Sequence, residues 1–436
     1  MEVIDALCSG VSAKSPVELT LTACFRRSYS MLYKAIDGFA WHPLDLASLL
    51  APYLPSPQVR SFWLLGVDVT PQPRPYARTL TDRGMVYQPN MVKGNKPVTV
   101  GHQYSTVALL PEAEAGLSPS WLVPLLVRRI GTAEDKELVG AAQIDALLRQ
   151  QELPFRQRLC VEVADSSYSK PAYLCANRAH DNLVTIARAR SNRIFYRQFV
   201  ADEHVKELGH PTWYGCAFPL RNPDAWPAAD EQHALVKLNQ LGKRTTIQIQ
   251  LWHNMLMPGK RKPEPLPMHK FPFTLVHIVH YNEAGTSMHT RPLWLIVIGP
   301  HRDELSSTEI YHAYAQRYDL EHFFRFGKQK LLLADFQTPE TAREEAWWQL
   351  AHMAYAQLWM ARQVAHALPR PWERNLPLLK ARRISPTLVQ RDFARIIQQL
   401  GTPAKPPKVR NKSPGRRPGT KLPPRPRHSV VVKGHT

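Results

Sequence analysis

Four side chains in the segment YAQRYDLEHFFRFGK are of the types that could act together on a phosphodiester. Tyr314, Arg317, Glu321 and Lys328 stand at offsets 0, +3, +7 and +14. On an α-helix, which turns about 100° per residue, all four fall within a stripe roughly 60° wide. A carboxylate on such a face can hold a metal ion, and the cations beside it can hold backbone phosphates. A solvated helix face with Arg317–Glu321 as a surface ion pair would show the same pattern, so both interpretations stay open at this point.

The residues around this stripe predict an ordinary helix with a buried side. Ser306 and Glu309 have the spacing of a capping box that would begin the helix. Phe323 and Phe324 fall on the side away from the four polar groups. The helix is therefore expected to pack against a core while its polar side remains available for chemistry.

Two aspartates upstream each follow an apolar segment of strand length. Asp68 ends the run that begins at Phe62, and Asp165 follows the alternating segment 159–164. A carboxylate at the end of a strand is well placed to bind a cation at the edge of a sheet. Each aspartate alone is more simply explained as a cap for the next turn. Together with Glu321, they form an ordered set of three carboxylates.

The spacing Tyr314-x2-Arg317-x3-Glu321-x6-Lys328 resembles the Y-R-E-K signature of bacterial insertion-sequence transposases, which are cut-and-paste DD-E enzymes with an RNase-H-like core. The segment 101–105, GHQYS, and the strand that ends at Arg193 are also similar to that family, as is Tyr168 just after the second aspartate. The resemblance covers roughly residues 60–370 and is most specific in the Y-R-E-K segment.

The resemblance implies a role for each of these residues. Glu321 becomes the third catalytic carboxylate, and the proposed ligands of two Mg²⁺ ions, for which Mn²⁺ could substitute, are Asp68, Asp165 and Glu321. Arg317 and Lys328 would hold phosphates near the cleavage point, and Tyr314 would hydrogen-bond a phosphate. The expected reaction is cleavage at the ends of a mobile element, formation of a hairpin, and joining of the 3′ end to target DNA.

The resemblance also implies partners and leaves rival functions open. The expected partner is double-stranded DNA, both terminal inverted repeats and target, bound by a homodimer. A nuclease of the same fold without strand transfer and a non-catalytic DNA-binding protein derived from a transposase are the alternatives. A sugar hydrolase with a carboxylate pair does not suit the charge of the chain.

The composition favours a polyanionic partner. The 436 residues include 56 basic and 36 acidic side chains, a formal net charge of +20, which indicates nucleic acid more than a membrane surface. No apolar run approaches the ~20 residues of a spanning helix, and the acidic N-terminus is unlike a signal peptide, so a cytoplasmic, nucleoid-associated protein is expected. The five cysteines form no C-x-x-C pair, which argues against zinc, and the absence of a Walker A loop argues against a nucleotide cofactor.

The predicted fold class is α/β: an RNase-H-like core interrupted by a β-rich insertion, with a helical N-terminal region and a basic disordered tail. The expected regions are a helical segment at 1–58, a catalytic core at 59–370, a β-rich insertion at 199–303, a C-terminal helical segment at 371–400 and a Pro-rich tail at 401–436. The helical segment could bind DNA ends or simply pack, and the two possibilities are about level. The tail has ten Lys or Arg, eight Pro and no acid, a composition that cannot bury a core.

Two aromatic residues are candidates for stacking on a flipped base. Trp294 lies 20 residues before Tyr314, and Tyr318 is adjacent to Arg317. The apolar neighbours of Trp294 favour a core position for it. For Tyr318 the sequence offers no more than its position beside Arg317 as a reason to expect base stacking.

Overall fold

The computed structural model describes residues 1–88, 97–114, 121–199, 213–238, 241–259, 266–368, 370, 372, 383–399, 417–421 and 423–432. The chain divides into two compact units. Unit 1 comprises Met1–Val59, Asp68–Val139 and Asp319–Thr436, and unit 2 comprises Arg60–Val67 and Gly140–Tyr318.

The described chain begins with three helices, continues as strands with one helix on either side of the fifth strand, and ends with four helices. The helices are α1 (Glu2–Ser9), α2 (Ser30–Asp37), α3 (Asp45–Leu50), α4 (Lys136–Arg149), α5 (Pro171–Asn177), α6 (Ser307–Gln316), α7 (Tyr318–Lys330), α8 (Thr341–Ala367) and α9 (Pro386–Gln399). The strands are β1 (Trp63–Pro73), β2 (Gly84–Tyr87), β3 (Val98–Leu109), β4 (Val123–Ile130), β5 (Cys160–Ala164), β6 (Leu183–Ala189), β7 (Ile194–Gln198), β8 (Tyr214–Pro219), β9 (Glu231–Leu238), β10 (Arg244–Leu256), β11 (Phe273–Tyr281) and β12 (Leu293–Ile298). Short 3₁₀ turns lie at Pro16–Leu21, Ala51–Tyr53, Pro154–Gln157, Ser166–Ser169, Pro223–Ala225, Met268–Lys270 and Arg302–Glu304.

The N-terminal region of unit 1 is helical but broken. Within the helical segment expected at 1–58, the structure has α1, the 3₁₀ turn Pro16–Leu21, α2 and α3 with a short 3₁₀ turn after it, and a connection without helix separates Pro16–Leu21 from α2. The connection between them is held by Arg26, which forms an ion pair with Glu2 of α1 at 3.0 Å. This ion pair holds the non-helical connection against α1.

The core of unit 1 forms around α8, a helix of 27 residues. Its aromatic side chains Trp347, Trp348 and Tyr355 are fully buried, and α1 and α9 pack against it. α9 begins with Pro386 at its first position, where a missing N–H costs nothing, and Gln390 Nε2 donates to the Leu7 carbonyl at 3.1 Å. Most apolar side chains of α8 are thus buried in the core of unit 1.

Unit 1 also contains an antiparallel group of strands. β3 pairs with β2 on one side and β4 on the other, and the Arg74 N–H at the end of β1 donates to the Val100 carbonyl of β3 at 2.7 Å. A Cβ at Gly101 would lie 2.1 Å from the Gln72 carbonyl oxygen. Glycine is required at that position for the close approach of β1 and β3.

The described end of the basic tail differs from the expectation of disorder. The Val431 N–H donates to the Arg83 carbonyl at 2.8 Å and the His428 N–H donates to the Arg78 carbonyl at 2.8 Å. Val431 also bridges Gly84 at the start of β2. Backbone hydrogen bonds to the edge of a sheet need no apolar side chains, so composition alone did not reveal this contact. Residues 401–416 of the tail lie outside the described residues.

Unit 2 contains a large mixed sheet. Its first half-strand, Trp63–Val67 of β1, is parallel to β5, and β5 is parallel to β6. β6 then pairs antiparallel with β12, and the order continues through β11, β10, β7 and β8. β9 pairs with the same edge of β10 as β7, the edge opposite β11, but nearer the start of β10. Strands β10, β11 and β12 lie within residues 199–303, where the sequence analysis expects a β-rich insertion. They extend the sheet that contains β5 and β6.

Trp294 is part of the core of unit 2. Its side chain is 1% exposed, and its indole ring packs edge-on against Trp226 at 5.0 Å and Phe218 at 6.0 Å. A side chain enclosed on all sides by its own chain cannot present a ring to a flipped base, so the suggestion of base stacking by Trp294 is wrong for this conformation. Tyr318 is 47% exposed.

Candidate functional site

One parallel strand pair of unit 2 ends, in sequence, just before each of the first two aspartates. The register joins Trp63 to Cys160 and continues to Val67 opposite Ala164. Asp68 and Asp165 are the residues that follow the two members of this last pair. The sequence analysis places Asp68 at the end of a strand, but β1 continues to Pro73, so Asp68 lies within the strand. The pairing of β1 with β5 ends at Val67, the residue before Asp68.

Asp165 caps the turn that follows β5. Its Oδ1 accepts hydrogen bonds from the Ser167 N–H and the Ser167 hydroxyl, both at 2.7 Å. Among the described residues, Oδ2 receives no hydrogen bond. The turn also carries Tyr168, whose ring packs edge-on against Tyr173 at 4.9 Å. Asp165 is therefore held by one oxygen and keeps the other for a ligand.

A buried polar network surrounds Glu162, which lies in β5 three residues before Asp165. The Glu162 carboxyl group accepts from Asn177 Nδ2 at 2.6 Å and Thr185 Oγ1 at 3.1 Å, and the Tyr173 hydroxyl also donates to it. Burial raises the pKa of Glu162 to about 8. This network joins β5, α5 and β6 behind Asp165, and sequence reasoning missed it because Glu162 stands in an otherwise apolar strand.

The Y-R-E-K segment is not one continuous helix. α6 ends at Gln316, Arg317 forms a turn, and α7 begins at Tyr318. The capping box at Ser306 and Glu309, predicted from sequence, is confirmed at the start of α6. The break separates the four residues: Tyr314 and Arg317 belong to unit 2, and Glu321 and Lys328 belong to unit 1.

Tyr314 is buried and contacts Arg317. It is 8% exposed, Arg317 donates a hydrogen bond to its hydroxyl oxygen, and the Arg317 Cζ lies 5.9 Å from its ring centroid. Burial raises the pKa of Tyr314, and the nearby Asp165 carboxylate adds to that effect, while Arg317 and Arg188 oppose it. In unit 2 the structure thus brings together Asp165, Tyr314, Arg317 and Arg188. Arg188 was not singled out from the sequence, although it is a charged, exposed residue in the buried strand β6.

Lys328 has a different environment from the one expected. Its ammonium donates to the Thr70 hydroxyl at 2.7 Å and to the Pro71 carbonyl at 3.2 Å. Burial lowers the pKa of Lys328. Two of its three N–H groups are therefore committed to β1, and they link α7 to that strand.

Glu321 lies in the first turns of α7, two turns before Lys328. Residues seven positions apart fall on one face of a helix, so Glu321 shares the face that Lys328 directs at β1. α7 also buries Leu320, Phe323 and Phe324. Unit 1 thus holds Asp68, Glu321 and Lys328, and unit 2 holds Asp165, Tyr314 and Arg317.

The GHQYS segment has a clear role within unit 1. Glu344 of α8 is fully buried and accepts from His102 Nδ1 at 2.7 Å, Tyr104 Oη at 2.9 Å and Arg74 Nε at 3.0 Å. Arg74 also donates to the Phe336 carbonyl in the connection between α7 and α8. The network fixes the end of β1 relative to the segment that follows α7.

The carboxylates have the donor chemistry of a hard divalent cation. Asp165 offers Oδ2. Asp68 is part-buried, and its Oδ1 accepts a hydrogen bond from the Val69 N–H at 2.8 Å. Oxygen donors of this kind suit Mg²⁺ or Mn²⁺. Within the described ranges, no three His, Cys, Asp or Glu side chains approach closely enough to hold an ion, so the structure gives no coordination geometry.

A family model described as DDE superfamily endonuclease matches residues 1–259, more than half of the chain. The chain belongs to this family. Members of the DDE superfamily are nucleic-acid-cleaving enzymes of the nuclease and transposase type, and they generally use divalent metal ions. The mixed sheet with flanking helices is consistent with the RNase-H-like fold of DDE enzymes. Among curated proteins, none matches this sequence.

The family match includes only part of the candidate site. Strands β1 and β5, with Asp68 and Asp165, lie inside residues 1–259, while Glu321 and the rest of the Y-R-E-K segment lie beyond them. The matched range therefore includes Asp68 and Asp165 and excludes Glu321. None of the helices in the described ranges is long and apolar enough to cross a bilayer.

Proposed function

We propose that this DDE endonuclease is a DNA transposase of the insertion-sequence type with the Y-R-E-K signature. It would cleave phosphodiester bonds at the ends of an element and join them to target DNA. Asp68, Asp165 and Glu321 are the proposed catalytic carboxylates. The observation that carries this proposal is the β1–β5 register, because the residue after each member of its last pair is an aspartate.

The chain's own residues would divide the remaining work. Arg317 would form a fork of hydrogen bonds with a phosphate, and the buried Tyr314 hydroxyl would hold that guanidinium in place. Lys328 would hold α7, and with it Glu321, against β1. Tyr318, which is exposed, remains the proposed base-stacking residue.

The three carboxylates would hold two Mg²⁺ ions, with Mn²⁺ as a substitute. When bound, such ions activate the attacking hydroxyl and stabilise the leaving oxygen. No nucleotide is needed, since each transesterification exchanges one phosphodiester for another. The proposed partners are double-stranded DNA and a second copy of the chain, with the net charge of +20 supporting the first.

Glu321→Gln tests the assignment most directly. The variant should lose metal-dependent cleavage of a duplex that carries the element end, while its affinity for that duplex stays within about twofold of the wild type. Glu304→Gln is the matched control, because Glu304 is an exposed glutamate and should retain wild-type cleavage. Cleavage by Glu321→Gln at the wild-type rate would remove Glu321 from the site.

A strand-transfer assay separates the proposal from its rivals. Incubation with Mg²⁺ and supercoiled plasmid should join the cleaved 3′ end to the plasmid. Cleavage without joining would support the nuclease of the same fold. Tight binding without cleavage in either Mg²⁺ or Mn²⁺ would support the non-catalytic DNA-binding protein.

A further inference from the structure

A cluster of cationic and imidazole side chains surrounds the Tyr311 hydroxyl in unit 2. The Lys237 ammonium lies 3.3 Å from the Tyr311 oxygen, and His280 Nε2 lies 3.1 Å from it. Tyr311 itself is 6% exposed, and the Lys237 Nζ lies 4.6 Å from its ring centroid. His312, the next residue of α6, is exposed beside it.

Strand register brings these residues together from distant parts of the sequence. β10 lies between β9 and β11, and its Ile247 is paired with Leu235 of β9 and with His280 of β11. Lys237, two residues after Leu235, points to the same side as Leu235, where Tyr311 of α6 meets it. The residues of β10 at these positions, Ile247 and the Lys237 partner Thr245, carry no charge.

The charge of this cluster is not balanced. Lys237, His280, His289 and His312 form no ion pair with any carboxylate of the described part of the chain. Carboxylates of the adjoining segments are engaged elsewhere: Glu283 accepts the Arg244 N–H at 2.7 Å, and Glu309 closes the capping box of α6.

Two imidazoles of the cluster, those of His280 and His312, have lowered pKa values. Burial lowers the pKa of His280, and the nearby His289 and Lys237 lower it further. Burial also lowers the pKa of His312, with Lys237 as a second cause. An anion placed among these groups would relieve their mutual repulsion and would favour protonation of the histidines.

We propose that Lys237, His280 and His312, arranged around the Tyr311 hydroxyl, bind a phosphate group. Lys237 supplies a point charge, and the imidazoles and the hydroxyl supply hydrogen-bond donors. The ligand class is a phosphoester, and the proposed function makes the nucleic-acid backbone its source. Only the choice of the nucleic-acid backbone as the source of the phosphate rests on the proposed function. Free phosphate offers the same chemistry.

Salt-dependent DNA binding tests the site. The affinity of the full chain for a fluorescent random 30-bp duplex is measured by anisotropy between 50 and 300 mM KCl. Lys237→Gln should weaken binding several-fold and reduce the magnitude of the slope of log affinity against log salt by about 1. Lys270→Gln is the control, because Lys270 is an exposed lysine outside the cluster and should leave the slope unchanged. Equal losses in both variants would overturn the proposal, since they would report net charge only.

The histidines give a second readout that net charge does not. Binding by the wild type should tighten as the pH falls from 7.5 to 5.5, and His312→Gln, an exposed substitution with little effect on folding, should tighten less. An identical pH response in wild type, His312→Gln and His280→Gln would contradict the site.

Free phosphate is distinguished by competition. Inorganic phosphate, compared with KCl at equal ionic strength, should displace the duplex from the wild type and not from Lys237→Gln. If phosphate protects the wild type against thermal unfolding while Lys237→Gln binds the duplex normally, the nucleic-acid source is wrong. Wild-type cleavage together with failure of these binding tests would reject the phosphate site and leave the proposed transposase intact.

Discussion

The Lys328 ammonium of α7 donates to the Thr70 hydroxyl of β1 at 2.7 Å. Thr70 is two residues beyond Asp68, and Glu321 shares the helix face of Lys328. One charged hydrogen bond therefore connects the helix that carries the third proposed carboxylate to the strand that carries the first. Lys328, the last residue of the Y-R-E-K pattern, thus has Thr70 as a structural partner.

Replacing Lys328 with methionine should lower the free energy of unfolding. The substitution removes hydrogen bonds from a charged, part-buried donor, which are worth about 1.5–3 kcal/mol each. Thr70→Val removes one partner of the pair and should cost about 1 kcal/mol. Urea denaturation of both variants and of the double variant forms a cycle, and a coupling near zero would show that the two side chains do not stabilise each other.

Cleavage measurements on the same variants separate the two roles of Lys328. If Lys328 acts only through β1, Lys328→Ala and Thr70→Val should reduce the melting temperature while cleavage below that temperature persists. A large loss of cleavage in Lys328→Ala with an unchanged melting temperature would assign Lys328 to the phosphate instead.

Asp165→Asn should separate the capping role of Asp165 from its proposed catalytic role. Asparagine keeps the oxygen that accepts from Ser167 and caps a turn about as well as aspartate, so stability should change by less than about 1 kcal/mol. Cleavage should be abolished, because the carboxylate charge is gone. Ser167→Ala is the reciprocal control: it loses one hydrogen bond, which costs about 1 kcal/mol, and should retain cleavage. Both are measured by thermal unfolding and by a cleavage assay.

Glu162→Gln should reduce the pH dependence of stability. The pKa of Glu162 is raised to about 8 in the folded chain, so between pH 4.5 and 8 the folded state binds the proton that the unfolded state has lost. Stability therefore falls as the pH rises through this range, by up to about 5 kcal/mol at about 1.4 kcal/mol per pKa unit. Glutamine mimics the protonated acid and should remove most of that fall. Melting curves at pH 5 and pH 8 measure it, and parallel curves for the two proteins would contradict the raised pKa.

Glu344→Gln should be strongly destabilising. It leaves the buried Arg74 guanidinium, 3% exposed, without its carboxylate partner, and breaking a buried pair in this way costs roughly 3–5 kcal/mol. The folded-state pKa of Glu344 is lowered, chiefly by His102 and Arg74 against an opposing effect of burial, so its contribution is present at neutral pH and lost as the pH falls.

Glu345→Gln, at the next position, is the control for this network. Glu345 is 42% exposed and pairs with Arg129, a type of pair worth about 0–1 kcal/mol. Urea denaturation measures both variants, and equal losses in the two would show that the buried network adds no stability.

Some of the elements that position the site could be predicted from the sequence. β5 follows from the apolar alternation of residues 159–164, and the start of α6 follows from the capping box of Ser306 and Glu309. These features depend on neighbours within a few residues, which the sequence shows directly. The burial of Tyr314 and the break at Arg317 could not be predicted, because tertiary packing overrode the continuous helical pattern of the segment.

The sequence by itself determined the residue types and the order of the chemistry: Asp68, Asp165 and Glu321 in turn, on a strongly basic chain. Only the tertiary structure decided the environment of each group. It showed that Asp68 lies within β1, that Lys328 is bonded to that strand, and that Trp294 is enclosed in the core. It also brought Lys237, His280 and Tyr311 together from three separate elements. Spacing along a chain fixes which face of an element a side chain occupies, but what lies opposite that face depends on contacts between residues far apart in sequence.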